Sequence, residues 1–175
     1  MRRFAYLWVL FSLVSGSLSA QSQEARFTSA APSPLKRSVF IAPNETRFSG
    51  SAQITGRFEL IREPGGEGLA GVSRVMFKPD ADSRRVLPHE VATGPVRKLW
   101  IRNTDEAISA LLPPAQRKDL SSGARKLTGT ATIVIRSYRS AADCDQRGYD
   151  ALFVSLVGAP GDAVAVSDVD EVSTC

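Results

Sequence analysis

Three carboxylates crowd one short stretch of the chain: Asp143, Asp145 and Asp150, the first two flanking Cys144. Neighbouring carboxylates are the groups that general acid–base chemistry and Ca²⁺ binding require. A hydrolase-type enzyme built on these three is therefore one reading. Their spacing does not make an EF-hand loop, which needs acidic residues at alternate positions, a Gly and a closing Glu. Loop aspartates also shape turns by accepting hydrogen bonds from nearby backbone, and that role needs no ligand. The single His is His89, in the run Pro88-His89-Glu90. There is no Gly-x-Ser-x-Gly elbow, and a Ser or Cys nucleophile needs an oriented base. His89 reads as a surface loop residue, and no residue is assigned as catalytic. Two cysteines and one distant His do not have zinc spacing, so neither metal nor cofactor is expected.

The same region carries the candidate binding residues. Arg136, Tyr138 and Arg139 end the longest predicted strand, and Asp143, Asp145 and Arg147 lie in the polar loop after it. Loops held by a rigid scaffold commonly carry recognition. Strand alternation reads Tyr138 as outward-facing and Tyr149 as inward or at an edge. The expected partner is an envelope or extracellular protein or an anionic polymer. Nucleic acid is disfavoured by the export that the N-terminus implies. A structural envelope protein without a ligand is the remaining alternative.

Residues 1–20 read as a signal peptide. Met1-Arg2-Arg3 gives a positive end, residues 4–14 an apolar run, and residues 15–20 a small-residue exit, with cleavage after Ser19 or Ala20. The apolar run is shorter than the roughly 20 residues a membrane-spanning helix needs. The expected location is the periplasm or the outside of the cell, with no transmembrane segment. The 175-residue chain has formal charge +4; removing Arg2 and Arg3 leaves 20 basic against 18 acidic side chains, +2. That charge is polarised. Residues 21–147 carry 20 basic and 13 acidic side chains, while residues 148–175 carry five acidic and no basic ones.

Cys144 and Cys175 are the only cysteines, and an oxidising compartment favours their pairing. A bond across 31 residue steps contributes about 3–4 kcal/mol in the chain-entropy account. It would tie the acidic C-terminal segment to the body.

The elements that position these residues are mostly strands. Residues 21–37 are rich in Ser, Ala and Pro and read as a flexible arm. Residues 38–175 read as a single β-rich domain. Residues 38–42 form a short edge strand. From Ser51, Ala52, Ile54, Phe58 and Leu60 alternate with Gln53, Thr55, Arg57 and Glu59, the pattern of a half-buried strand. Gly56 takes the inward parity, where a Gly marks a bulge or sharp bend. Further strands are predicted at 72–77, 96–102, 127–138, 149–157 and within 163–172. Residues 80–95 read as a polar loop. A helix starts at Asn103 or Thr104 and ends at Pro113-Pro114, with one more turn through 116–120. The fold class is mainly β with a minor α part: a small antiparallel barrel or sheet with one short helix. The order β-β-β-α-β-β matches an OB-like barrel.

Overall fold

The alternation that begins at Ser51 sets the architecture, because each strand has one face that must leave water. The computed structural model describes residues 26–42, 44–63, 72–121, 126–143 and 146–166. In chain order the elements are β1 (Phe27–Thr28), β2 (Lys36–Ala42), β3 (Glu45–Ser49), β4 (Ser51–Glu63), β5 (Val72–Pro79), α1 (Ala81–Val86), β6 (His89–Glu90) and β7 (Leu99–Ile101). Then follow α2 (Thr104–Leu111), α3 (Pro114–Ser121), β8 (Lys126–Asp143), β9 (Gln146–Val157) and β10 (Val164–Ala165). The signal-peptide reading, both cysteines, Asp145 and the strand reading beyond residue 166 lie outside the described residues.

The fold is mainly β. β4 pairs with β5, β5 with β7, β7 with β9, β9 with β8, and β8 again with β4. Five strands thus form a circuit of hydrogen-bonded ladders, antiparallel except for the β7–β9 pair. With α2 between the third and fourth of them, the order is the OB-like one. β3 continues the line of β4 along the same edge of β8, and β2 pairs with β3 as the expected edge strand. The inward parity supplies the core: Ala52, Ile54, Phe58 and Leu60 from β4, Val75 and Phe77 from β5, Ile133 and Ile135 from β8. Burial of such side chains contributes about 1.5–3 kcal/mol each. Ala107 and Leu111 of α2, with Leu112 just after it, join the same core.

Three local expectations change. The 80–95 segment is not simply a loop. Asp80 accepts a hydrogen bond from Ser83 N at 2.8 Å and caps α1, as an Asp before a short helix is suited to do. The segment read as a flexible arm is laid onto the body from Arg26 onward. β1 pairs with β6, Ala31 N donates to Arg85 O at 2.8 Å, and Leu35 is buried. Its two apolar anchors, Phe27 and Leu35, offset the ordering cost that its polar composition alone would not.

The third change concerns Asn103, whose side chain caps no helical N–H. Its Nδ2 donates to Phe153 O at 2.9 Å and its Oδ1 accepts from Phe153 N at 2.8 Å. The amide stands in for a missing strand partner of β9 and clamps α2's start to the sheet. Replacing Asn103 by Ala strips both partners from Phe153's backbone. Stability is expected to fall by about 2 kcal/mol, read as a lower urea midpoint with an unchanged slope.

Candidate functional site

The candidate residues gather at one end of the β8–β9 hairpin, and a bulge decides which of them face out. Along β8 the odd positions up to Ile135 point inward. The pairing with β9 then slips between Arg136 and Arg139. Arg136 and Ser137 are both exposed, Ser137 has φ +50°, and Tyr138 turns inward. A bulge adds one residue to one strand and so shifts every later side chain to the opposite face.

Tyr138 is therefore not the outward aromatic expected from simple alternation. It is fully buried, and its hydroxyl donates to Pro88 O at 2.6 Å. Burial raises its pKa well above the ordinary tyrosine value, helped by Tyr149 and the charge of Asp150. Tyr138 stacks on Tyr149 at 6.0 Å and meets Phe48 at 5.3 Å, which in turn meets Phe27 edge-on at 5.3 Å. Four rings thus bind the N-terminal strap, β3 and the hairpin into one block. Tyr149's hydroxyl accepts from Glu90 N at 3.1 Å and contacts Thr93 Oγ1 at 3.0 Å.

Outside this block lies a network of guanidinium and carboxylate groups. Arg139 grips Asp150 through Nε at 2.8 Å and Nη2 at 2.7 Å, a two-pronged pair. Arg102 Nε reaches the same carboxylate at 2.9 Å, and its Nη2 donates to Ser137 O at 2.8 Å. Arg139 also lies 3.5 Å from Glu45, which Arg47 holds at 2.6 Å. The Arg47 hydrogen bond is the main reason Glu45's pKa is lowered, and the hydrogen bond to Asp150 raises that of Arg139. Arg147 Nε donates to Glu90 at 2.6 Å and its Nη1 to Asn44 O at 3.1 Å. Arg136 is exposed beside the network.

Of the three aspartates, Asp145 and the side chain of Asp143 lie outside the described residues. Asp150 is held by two arginines. Asp143 sits opposite Gln146 at the hairpin's tip, four positions beyond the Arg139–Asp150 rung, or about 13 Å along the strand. Among the described residues no three His, Cys, Asp or Glu side chains converge to hold a metal ion. No helix among them is long and apolar enough to cross a membrane.

His89 is not a surface residue. It is 8% exposed, and its Nδ1 contacts Leu87 O at 3.4 Å. Pairing of β6 with β1 draws it under the strap. It lines a hollow of about 170 Å³, together with Ala30, Ala81, Arg84, Arg85 and Pro95.

A second charged cluster was foreshadowed in the sequence only by its polar parity. Glu59 on β4 is 2% exposed, with Lys78 Nζ at 2.6 Å, Arg57 Nη2 at 3.0 Å and Lys126 Nζ at 3.3 Å. Lys126 approaches Oε2 closely enough to neutralise it but outside hydrogen-bond geometry. On the same outward parity Ile61 and Met76 are buried too, so this part of the sheet's outer face is shielded from water. The usable signal was an acidic residue flanked in the ladder by basic ones, but it becomes visible only with the β4–β5 and β4–β8 registers in hand.

No family model, no curated protein and no solved structure matches the chain.

Proposed function

We propose that this protein is an exported, non-catalytic binding domain that receives an anionic partner on the arginine-rich end of its barrel, in the cell envelope or outside the cell. The observation that carries the reading is an imbalance. Among the described residues Arg47, Arg102, Arg139 and Arg147 share Glu45, Glu90 and Asp150, and Arg136 adds a further exposed guanidinium. Each guanidinium has five N–H donors in a fixed fork, more than these carboxylates occupy. The network holds its arginines in place before any partner arrives, which lowers the ordering cost of binding. The engagement of Asp150 by Arg139 and Arg102 favours binding over a hydrolase reading, because a carboxylate held by two arginines is already occupied. The sequence supplies the export half of the proposal through its signal-like first twenty residues.

Arg136 and Arg47 are the most exposed members, and Arg47's side chain is 54% exposed. The double variant Arg136→Ala/Arg47→Ala keeps the bulge and the buried pairs. On a dextran sulfate column the natural chain is expected to bind at low salt and elute as salt screens the contacts. The variant should bind about tenfold more weakly and elute earlier. Coincident elution of the two proteins would rule this surface out.

A further inference from the structure

The hollow under the N-terminal strap has a composition that the hairpin network does not share. Its walls are Ala30, Ala81 and Pro95, and its polar lining is Arg84, Arg85 and His89. Among the described residues no carboxylate pairs with either arginine. Arg84 Nε donates to Asp80 O at 3.2 Å, leaving its terminal nitrogens, and Arg85 is exposed. Of the acidic side chains nearby, Asp80 Oδ1 accepts from Ser83 N, Glu90 is paired with Arg147, and Asp82, on the same helix, is exposed and does not line the hollow. His89 has Nδ1 directed at the Leu87 carbonyl, so Nε2 is the ring nitrogen left for a ligand. The hollow is held open by backbone on both sides, through Ala31 N to Arg85 O at 2.8 Å and Val91 N to Arg26 O at 2.9 Å. Its volume of about 170 Å³ is below that of drug-sized sites and suits only a small ligand.

We propose that this cleft is a binding site for a small organic phosphate, with the phosphoryl group between Arg84, Arg85 and His89 and the organic part against Ala30, Ala81 and Pro95. Two guanidinium forks suit an anion with several acceptor oxygens and more than one charge. A phosphate monoester dianion supplies both. A monocarboxylate offers one charge and two oxygens, so it should engage the cleft less well. The site is distinct from the hairpin arginines and stands or falls separately from the binding function assigned to them.

The chain has one His, so the imidazole Hε1 resonance of the full chain reports on this cleft alone. Titration with phenyl phosphate, inorganic phosphate and acetate, at fixed pH and constant ionic strength, separates the contributions. Phenyl phosphate is expected to give a saturable shift. Inorganic phosphate should bind more weakly, having no apolar part to meet the walls, and acetate at least about tenfold more weakly than phenyl phosphate. Arg85→Ala, at an exposed position whose side chain pairs with no carboxylate among the described residues, should keep the thermal midpoint and raise the phenyl phosphate dissociation constant about tenfold. A linear, unsaturated response would overturn the proposal. So would equal affinity for acetate and phenyl phosphate, or natural affinity in Arg85→Ala. Equal saturable binding of both phosphates would replace the organic ligand by free phosphate as the occupant.

Discussion

Replacing Glu59 by Gln is expected to lower the unfolding free energy at neutral pH by about 3 kcal/mol. The variant keeps the side chain's size and one oxygen, so the loss is electrostatic. Lys126 is almost as buried as Glu59, with side-chain exposures of 8% and 2%. Without the carboxylate its ammonium, in a water-poor site, loses the Glu59 countercharge. Lys78 and Arg57, 25% and 54% exposed, still reach water, which holds the effect near the lower end for a broken buried pair. The pH dependence separates this account from a packing defect. Burial by itself raises Glu59's pKa, but the hydrogen bond from Lys78 and the charges of Lys78 and Lys126 outweigh it, and the net result is lowered. A carboxyl lowered on folding contributes stability above its unfolded pKa and loses it as pH falls through the folded one. The gap between the natural chain and Glu59→Gln, followed by urea unfolding, should therefore be widest at neutral pH and narrow below about pH 4. A gap that stays constant down to pH 3 would mean that charge is not the cause. The double variant Glu59→Met/Lys126→Met should recover much of the loss, since an apolar pair carries no desolvation cost.

Glu59 also shows where sequence reasoning reaches its limit. Period-two alternation identified β4 and its inward residues, because one buried face imposes it directly on residue type. It equated the other face with water, and that step failed at Glu59, which is buried beside Ile61 and Met76. Whether an outer face is covered depends on distant chain, which no local pattern records. Tyr138 failed for a different reason. Its strand was legible, but the bulge at Ser137 is a property of the β8–β9 register, and a shift of one residue reverses the face. The strap was misread through composition: Phe27 and Leu35 are too few to stand out among Ser, Ala and Pro, yet each finds an apolar seat. Element order was legible because strands and helix differ in period. The closing pairs, β7 with β9 and β4 with β8, follow from it only through the OB-like order. Of the candidate site, the sequence indicated the segment; the ion pairs that hold Arg102, Glu45 and Glu90 in it join residues far apart in the chain, 57 positions for Glu90 and Arg147.

Gly56→Ala is the substitution expected to disturb the barrel most for the smallest chemical change. Gly56 is the first residue of β4 to pair with β5, opposite Pro79, while its other edge pairs with Ala131 of β8. Both neighbouring strands therefore close on β4 at this point. A Cβ built there would lie 2.3 Å from Lys78 O and 2.9 Å from both Phe77 Cε1 and Pro79 Cα. The requirement is one of space. Two of the three obstacles are backbone, and the backbone is fixed by ladders on either side. Relief needs β5 to move off β4, which would also strain the Thr55 O to Asp80 N bond at 2.9 Å and the Thr55 N to Ser83 Oγ bond at 2.7 Å. A loss of about 3 kcal/mol is expected, at the upper end for overpacking. Gly129 provides an internal comparison. A Cβ there meets Phe58 Cζ at 2.5 Å, but the nearest backbone atom is 3.2 Å away, so a turn of the ring relieves part of the conflict. Gly148 is the benign case, with Ala141 O at 3.7 Å in ordinary contact. Chemical denaturation of the three Ala variants should thus rank Gly56 as worst, Gly129 as intermediate and Gly148 as within about 1 kcal/mol of the natural chain. If Gly129→Ala proved as costly as Gly56→Ala, the tightness of the barrel would lie in its aromatic filling. With Gly56→Ala the costlier, the tightness lies in the strand corner, where β4 must pass close to β5 to hold ladders on both its edges.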